Sequence, residues 1–251
     1  MRQFTAQGMG FTLVKLMANR ILLKLSGEAL DEKPPDGYSG SMADFIAGEI
    51  ASTIEDAFQI GIVVGGGNIM RGAVASAQGG IDRVTADQMG MLATIINALA
   101  LRDALRAKDI ETTIMCAFEV GGIAERYRRD KAIHKLEKGK VVIFAGGTGN
   151  PYFSTDTAAS LRALEIGAAM LIKGSKVDGV YDKDPMKNPT ARKFKRLSYG
   201  EAIEKELKIM DLTAFMLLRE SGISIVVYKM SSPGALLKVL RGDDEGTLVQ
   251  D

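Results

Sequence analysis

The feature that most constrains this chain is a set of short, almost uninterrupted apolar runs that alternate with longer segments of helical spacing. Strands that are apolar along their whole length are covered on both faces, as in parallel sheets flanked by helices. The predicted strands are residues 20–25, 61–64, 112–116, 140–144, 169–173 and 223–228. The predicted helices are residues 42–59, 85–107, 155–167 and 211–221. This alternation predicts an α/β fold with a mainly parallel central sheet and helices on both faces.

Length and composition allow one large domain with a sizeable core, since 46% of the 251 residues are hydrophobic. The loop-like stretches 31–37 and 177–189 do not separate halves of different composition, so we predict a single domain over residues 20–251. Residues 1–19 are interpreted as a poorly ordered extension: their apolar stretch is short, is broken by Lys15 and lacks a cleavage site. No apolar run approaches the roughly 20 residues of a membrane span.

Charge and cysteine content exclude several classes of partner. The 32 basic and 31 acidic residues leave a net charge of +1, which argues against nucleic acid or a membrane surface as the main partner. The lone Cys116 lies in an apolar run and cannot form an internal disulfide, which suits a reducing cytoplasm. The lone His134 is interpreted as part of a solvated helix face. We therefore expect a cytoplasmic protein whose recognition of any anion is local.

Four predicted strands run directly into small residues at their carboxyl ends, where ligands bind in parallel α/β sheets. The loops begin at Ser26-Gly27, at the glycines 65–67, at residues 145–156 (AGGTGNPYFSTD) and at Gly174-Ser175. Bare backbone N–H groups in such loops can approach a phosphate closely. The chain has no G-x-x-x-x-G-K-[ST] motif, so any cation for the phosphate must come from elsewhere.

Two basic residues are candidates for that cation. Lys24 stands inside an apolar strand, where it either snorkels to water at a sheet edge or reaches phosphates at the strand's carboxyl end. Arg71 follows three glycines and Asn68, and its guanidinium is suited to bidentate phosphate binding. We favour the phosphate role for Arg71.

Carboxylates near these loops allow more than one interpretation. Asp87 either complements the dipole of a helix capped by Thr85 or accepts hydrogen bonds from ribose hydroxyls, and spacing alone does not decide between them. Asp156 lies in the first turn of a helix capped by Ser154 or Thr155. It either complements the dipole, orients Lys24, or holds Mg²⁺ through a water molecule.

A second acidic group follows the strand that ends near residue 173. Asp178, Asp182 and Asp184 lack the spacing and the closing Glu of a calcium-binding EF-hand. We interpret this stretch instead as a turn that brings Tyr181 to a nucleobase.

Long segments of the chain, taken in order, resemble the bacterial uridylate kinases of the amino acid kinase family. They are RILLKLSGEAL, VVGGGNIMRG, RVTADQMGMLATIINALALRDAL, GGTGNPYFSTDTAASLRALEIGA, KGSKVDGVYDKDP, EKELKIMDLTAF and SPGAL, between about Arg20 and Val249. The resemblance implies a three-layer αβα sandwich, the amino acid kinase fold. It also implies transfer of the ATP γ-phosphoryl group to UMP with Mg²⁺, and it explains the missing Walker loop.

The resemblance also implies roles for particular residues. The implied catalytic residues are Lys24, Arg71 and Asp156. The implied ATP-binding residues are Lys24, Ser26, Gly27, Gly67, Arg71, Lys173, Ser175, Tyr181 and Asp184. The implied UMP-binding residues are Gly66, Asp87, Thr148, Gly149, Asn150, Pro151, Tyr152, Phe153, Ser154 and Thr155. The UMP-binding part is expected at about residues 20–167 and the ATP-binding part at about 168–251, with Mg²⁺ held mainly by ATP phosphates and water rather than by side chains.

Bacterial members are typically hexamers regulated by GTP and UTP, so the resemblance implies a homohexamer activated by GTP and inhibited by UTP. Residues 31–41 and 118–138 depart from the family pattern. Two alternatives are an acyl-phosphate-forming amino acid kinase of the same fold and a non-catalytic nucleotide-binding relative, such as the molybdenum storage proteins. The GTGNPYFSTD loop argues against the first, and the presence together of Lys24, Arg71 and Asp156 argues against the second.

Overall fold

The computed structural model describes residues 20–31, 34–35, 40–77 and 79–251. The predicted N-terminal extension, residues 1–19, lies outside the described residues, as does part of the divergent stretch 31–41.

Eleven strands are formed by the described residues, nine of them in one sheet and two in a hairpin. They are β1 (Arg20–Leu25), β2 (Gln59–Val64), β3 (Thr112–Cys116), β4 (Glu125–Arg126), β5 (Val141–Ala145), β6 (Met170–Ser175), β7 (Val180–Tyr181), β8 (Lys193–Phe194), β9 (Arg196–Leu197), β10 (Ser224–Lys229) and β11 (Thr247–Val249). All six predicted strands are therefore present.

Nine α-helices connect and flank these strands in the described part of the chain. They are α1 (Gly27–Leu30), α2 (Met42–Ala51), α3 (Gly72–Ala77), α4 (Arg83–Arg106), α5 (Arg129–Glu137), α6 (Thr155–Ile166), α7 (Tyr199–Glu204), α8 (Leu212–Glu220) and α9 (Ala235–Arg241). His134 is exposed on α5, as predicted from the polar pattern around it.

The large sheet has the strand order β4-β3-β5-β2-β1-β6-β10-β11-β9. All neighbouring pairs in it are parallel except β10 with β11. The prediction of a mainly parallel α/β sheet is thus confirmed. In this register Lys24 on β1 is the Cα partner of Lys173 on β6, which brings two lysines side by side at the carboxyl ends of the central strands.

Each face of the sheet carries its own hydrophobic core, because successive side chains of a strand point to opposite faces. Leu23 and Leu25 of β1 pack in a core with residues of α2, α4 and α9. Leu22 packs on the other face in a core with residues of α5, α6, α7 and α8. The sheet therefore lies between two helical layers, which confirms the αβα sandwich.

One predicted helix boundary was wrong, and so was the Thr85 cap that one of the two alternatives for Asp87 assumed. The helix predicted over residues 42–59 ends at Ala51. A short 3₁₀ turn at Ile54–Asp56 follows, Ala57 is left-handed at φ 56°, and the chain then enters β2. The cap of α4 is Asp82 rather than Thr85, since the Asp82 carboxylate accepts hydrogen bonds from the N–H groups of Val84 and Thr85.

The long helix α4 contacts the loops that follow β2 and β5, through Asn97 and Thr94. By length and composition it could cross a membrane, but 44% of its most apolar stretch is buried inside the protein. Its inner face packs on α2, α3, β3 and β5. We interpret α4 as a core helix, as these contacts require.

Candidate active site

Four neighbouring strands, β5, β2, β1 and β6, end at the same edge of the sheet, and their loops meet there. Gly27, the first residue of α1 after β1, lies close to the glycine loop, residues 65–68, at the end of β2. A Cβ atom added at Gly27 would lie 2.5 Å from the Gly67 nitrogen and 2.9 Å from the Gly65 carbonyl oxygen. Only glycine fits at residue 27, so the backbones of the two loops pack directly against each other and form one continuous surface.

Lys24, Asp156 and Lys173 form a buried charge cluster at the carboxyl ends of β1 and β6. Asp156 lies in the first turn of α6, and its Oδ1 is 2.7 Å from Lys24 Nζ while its Oδ2 is 3.0 Å from Lys173 Nζ. The three side chains are only 8%, 15% and 17% exposed, in the order Lys24, Asp156, Lys173. The structure therefore brings two predicted cations to a single carboxylate.

Burial and charge act in opposite directions in this cluster. Burial disfavours the ionised form of Asp156, but the Lys24 and Lys173 ammonium groups outweigh burial and hold the pKa of the carboxyl below its ordinary value. Burial lowers the pKa of the Lys173 ammonium, and the Asp156 carboxylate offsets that effect only in part. The cluster carries a net positive charge next to glycine-rich loops, which suits an anionic ligand.

Arg71 stands one residue before α3 and is half exposed above the glycine loop. Its guanidinium forms an ion pair with Glu28 of α1. A Cβ atom added at Gly67 would lie 3.5 Å from Glu28 Oε1 and 3.8 Å from Arg71 Nε, so the pair sits directly over that glycine. Glu28 was not among the predicted site residues, since a glutamate in the first turn of a helix is ordinary.

The β5–α6 loop, residues 146–154, is anchored to α4 through Asp87. The Asp87 carboxylate accepts hydrogen bonds from the Tyr152 N–H at 2.8 Å and from Arg83 Nε at 2.9 Å. Tyr152 is left-handed at φ 70°, which is uncommon for a bulky residue, and its ring lies 5.3 Å from the Arg83 guanidinium carbon. Asp87 therefore binds the tip of this loop across the crevice.

The remaining residues of the β5–α6 loop form a tight turn that faces solvent. Thr148 Oγ1 accepts a hydrogen bond from the Asn150 N–H at 3.1 Å, and Gly149 is left-handed at φ 85°. Tyr152 and Phe153 are exposed although both are aromatic. Two exposed aromatic rings beside a polar turn provide apolar contact area for a binding partner at a wet surface.

The loop ends in a hydrogen-bonded cluster that ties α6 to α8. Ser154 caps α6 by accepting the Thr157 N–H at 3.1 Å. The hydroxyls of Ser154 and Thr157 both donate to the Asp211 carboxylate, which also caps α8 through the Ala214 N–H at 2.9 Å. Thr155 faces the glycine loop, since a Cβ added at Gly65 would lie 3.3 Å from its Oγ1.

A cavity of about 470 Å³ opens on the other side of Lys173, between the β6–β7 region and the segment before α8. It is lined by the predicted residues Lys173, Ser175, Tyr181 and Asp184, and by Lys205, Glu206, Leu207, Lys208 and Ile209, which were not predicted. The Lys173 ammonium also donates to the Ile209 carbonyl. The Tyr181 hydroxyl donates to Asp178 Oδ1 at 2.6 Å.

Several residues of the site were missed because they are far from the loops in sequence. Asp211 and the 205–209 segment lie more than 30 residues after Lys173, yet contact it or its neighbours. An aspartate before a helix is a signal for an N-cap, and nothing in its spacing shows that it also reaches α6. Among the described residues, no group of three His, Cys, Asp or Glu side chains is arranged to hold a metal ion.

Comparisons with known proteins agree with this architecture. The sequence profile of the amino acid kinase family matches residues 19–229. Over 232 residues the chain is 50% identical to the uridylate kinase of Ectopseudomonas mendocina (strain ymp), covering 92% of this chain and 94% of that one. Over 230 residues it is 51% identical to the uridylate kinase of Colwellia psychrerythraea, covering 92% and 93%. The crystal structure of the UMP kinase from Bacillus anthracis superposes with a TM-score of 0.85 at 36% identity, covering 93% and 96%.

Proposed function

The chain belongs to the amino acid kinase family, and from that premise we propose that it transfers the γ-phosphoryl group of ATP to the phosphate of UMP, forming ADP and UDP. The observation that best supports this reaction is the Lys24–Asp156–Lys173 cluster, which lies between the β5–α6 loop on one side and the cavity on the other. Two anionic nucleotides entering from these sides would meet at the two ammonium groups. This arrangement supplies charge neutralisation where phosphoryl transfer needs it.

The chemistry asks the protein for position and charge rather than for a base, because the UMP phosphate is already an anionic nucleophile. In the proposed mechanism, Lys24 and Lys173 neutralise charge on the transferring group, and Arg71 binds a phosphate by a bidentate contact. Arg71 exchanges its Glu28 partner for that phosphate. Asp156 orients the two lysines, since each of its oxygens already contacts one ammonium group.

Mg²⁺ fits this site as a companion of ATP. Both Asp156 oxygens are engaged with lysines, and the described residues offer no carboxylate cage, which leaves phosphate oxygens and water as its ligands. When bound there, Mg²⁺ neutralises charge on the β- and γ-phosphates. The protein residues hold the phosphates that carry it.

We assign the nucleosides to the two sides of the cluster. The β5–α6 loop, Asp87 and Gly66 bind UMP, with Asp87 as the acceptor of ribose hydroxyl hydrogen bonds in place of its contacts with Tyr152 and Arg83. The cavity binds the base and sugar of ATP through Ser175, Tyr181 and Asp184. In this assignment, residues 20–167 form the UMP-binding part and residues 168–251 form the ATP-binding part.

The experiment that tests the reaction is an acceptor screen on the purified chain with ATP, Mg²⁺ and UMP, CMP, dUMP or AMP. We expect rapid ADP formation with UMP and much slower formation with AMP. Binding of ATP and UMP without formation of UDP would overturn the proposal in favour of a non-catalytic relative. Activity with acetylglutamate in place of UMP would show an acyl-phosphate kinase.

The assembly is proposed to be a homohexamer in the cytoplasm, activated by GTP and inhibited by UTP. Support for self-association comes from the outer face of α4, where Leu92 and Ile96, one turn apart, are 52% and 56% exposed. Initial rates with UMP, measured with added GTP or UTP, test the regulation. Unchanged rates with both nucleotides would remove it from the proposal.

A further inference from the structure

Two polar side chains interrupt the buried apolar face of α4, one turn apart. Thr94 is 4% exposed and Asn97 6%, between the buried residues Ala93, Ile95 and Ala98. Burying a polar group without a hydrogen-bond partner is costly, so buried polar residues of a helix normally have specific partners. Their partners lie on the two loops that enclose the proposed phosphate site.

Thr94 holds the start of the β5–α6 loop. Its hydroxyl accepts a hydrogen bond from the Gly146 N–H at 2.7 Å and donates to the Met91 carbonyl at 2.6 Å. Gly146 is left-handed at φ 77°, and a Cβ atom there would lie 2.7 Å from Cys116 Sγ. The first peptide of this loop is therefore pinned between β3 and the Thr94 hydroxyl.

Asn97 holds the glycine loop in the same way. Its Nδ2 donates to the Gly65 carbonyl at 2.7 Å and to Asn68 Oδ1 at 2.8 Å, and its Oδ1 accepts from Asn68 Nδ2 at 3.3 Å. Both donors and the acceptor of the Asn97 amide are thus used on one loop. The Gly65 N–H donates to the Leu25 carbonyl at 2.9 Å, which fixes the loop to β1 as well.

The glycine loop also fits directly against the backbone of α4. A Cβ atom added at Gly66 would lie 2.6 Å from the Gly90 carbonyl and 2.8 Å from Ala93 Cβ. No side chain can stand between the loop and the helix at this point. One rigid surface, residues 90–97 of α4, therefore sets the positions of both loops.

We propose that Thr94 and Asn97 are positioning residues that set the distance between the glycine loop and the β5–α6 loop, and through it the alignment of the two reacting phosphates. This role rests on the proposed function, because the loops enclose both phosphates only if phosphoryl transfer occurs there. A displacement of about 1 Å between reacting groups can cost on the order of 100-fold in rate. Both residues are buried beneath these loops, so each acts through its loop.

The test compares isosteric and conservative variants of the full chain. Thr94→Val keeps the shape and removes the acceptor for the Gly146 N–H, whereas Thr94→Ser keeps the hydroxyl. We expect kcat/KM for UMP to fall about tenfold or more in Thr94→Val and to recover in Thr94→Ser. Asn97→Asp places a carboxylate against the Gly65 carbonyl and should lower kcat/KM for both UMP and ATP.

Thr53→Val is the matched control. Thr53 is fully buried, but its hydroxyl donates only to the Ile50 carbonyl of its own turn, at 2.7 Å. Thermal unfolding of all variants shows whether they are equally folded at the assay temperature. A Thr94→Val enzyme whose kinetics match those of Thr53→Val at the same loss of stability would overturn the positioning role.

Amide hydrogen exchange at Gly146 provides a measurement that needs no activity. We expect a protected Gly146 N–H in the wild type and in Thr94→Ser, and faster exchange in Thr94→Val. Equal protection in all three would overturn the role of Thr94 even in an inactive chain. If the wild type fails to phosphorylate UMP while the Gly146 N–H shows the expected protection from exchange, the proposed reaction is overturned and the role of Thr94 is not.

Discussion

Asp156 is the residue that joins the two halves of the proposed site. One carboxylate contacts Lys24 from β1 and Lys173 from β6, and those two lysines are register partners on neighbouring strands. A lysine that pairs with a buried carboxylate is held in one position, which reduces the cost of ordering it when a substrate binds. In the proposed mechanism, Lys24 and Lys173 therefore neutralise phosphate charge, and the Asp156 carboxylate orients the two lysines.

Replacement of Lys24 by alanine removes one of the two cations without touching the β5–α6 loop. We expect kcat to fall about 10²- to 10³-fold, because charge on the transferring group loses a fixed partner, while the Kd for UMP stays near that of the wild type. Rapid-quench turnover and calorimetric titration of UMP measure the two quantities. Lys195→Ala, an exposed lysine paired with Asp244, is the control and should change neither.

Asp87→Ala should show the opposite pattern in the same two measurements. We expect the Kd for UMP to rise, because the proposed ribose contact is lost, and kcat at saturating UMP to change little. A Lys24→Ala enzyme with nearly normal kcat would remove the cation assignment. Unchanged UMP affinity in Asp87→Ala would leave Asp87 as an anchor of Tyr152 alone.

The pH dependence of kcat tests the coupling between Asp156 and Lys173. Burial lowers the pKa of Lys173 below 10.5, and the charge of Asp156 raises it. Activity that requires the ammonium form is lost as pH rises through this pKa. Asp156→Asn removes the charge that raises it, so the alkaline limb of the residual kcat should move to lower pH.

Asp244→Asn removes an exposed carboxylate that pairs with Lys195 and should leave the alkaline limb unmoved. If the alkaline limb of kcat lies at the same pH in Asp156→Asn and in the wild type, Lys173 does not set that limb.

The ion pairs of Asp156 with Lys24 and Lys173 also affect stability at acid pH. The pKa of Asp156 lies below 3.8, so its contribution to the free energy of unfolding is present above that pH and is lost as pH falls through the folded-state pKa.

At the scale of elements, α6 and α8 begin at the same point in space. Ser154 caps α6 and Asp211 caps α8, and the Asp211 carboxylate also accepts hydrogen bonds from the hydroxyls of Ser154 and Thr157. The start of α6 carries Asp156, so this shared cap also sets the position of the charge cluster. A cap that joins two helices should contribute more to stability than one that serves a single helix.

Asp211→Ala tests that difference. We expect the free energy of unfolding to fall by about 2–3 kcal/mol, because the cap and the hydroxyl contacts are lost together. Asp82→Ala, which removes the exposed cap of α4 alone, should cost about 1 kcal/mol. Urea denaturation measures both, and equal losses would mean that the contacts between α6 and α8 contribute nothing.

At the scale of the whole molecule, the outer face of α4 relates the active site to assembly. Leu92 and Ile96 lie on the same helix as Thr94 and Asn97 but point outward. A contact between copies of the chain on this face would lie on the opposite side of α4 from the glycine loop and the β5–α6 loop. Assembly and loop position would share a single rigid element.

Leu92→Glu and Ile96→Glu test whether this face joins copies of the chain. Charge placed in an apolar contact is costly, so we expect each variant to sediment at a lower mass than the wild type. Met186→Glu changes an apolar residue that is 81% exposed and should leave the mass unaltered. A hexamer that survives both α4 substitutions would place its contacts elsewhere on the surface.

The sheet was the part of the fold that could be predicted, because a continuous apolar run of strand length indicates a strand that is buried on both of its faces. The six main strands were found to within two residues at either end. The short elements β4, β7, β8, β9 and β11 were missed. A strand of two or three residues is too short to show the alternation of apolar and polar side chains, and these strands are stabilised by partners distant in sequence.

The strands, the glycine-rich loops at their carboxyl ends and the isolated charge of Lys24 could be predicted, because each is a local pattern with a local physical cause. The sequence left Asp87 and Asp156 each with a helix-dipole alternative. Which charges meet depends on the folded arrangement: the strand order sets Lys24 beside Lys173, and the start of α6 brings Asp156 to both. Strand order and helix packing depend on contacts between residues distant in the chain, and the spacing of residues along the sequence does not report those contacts.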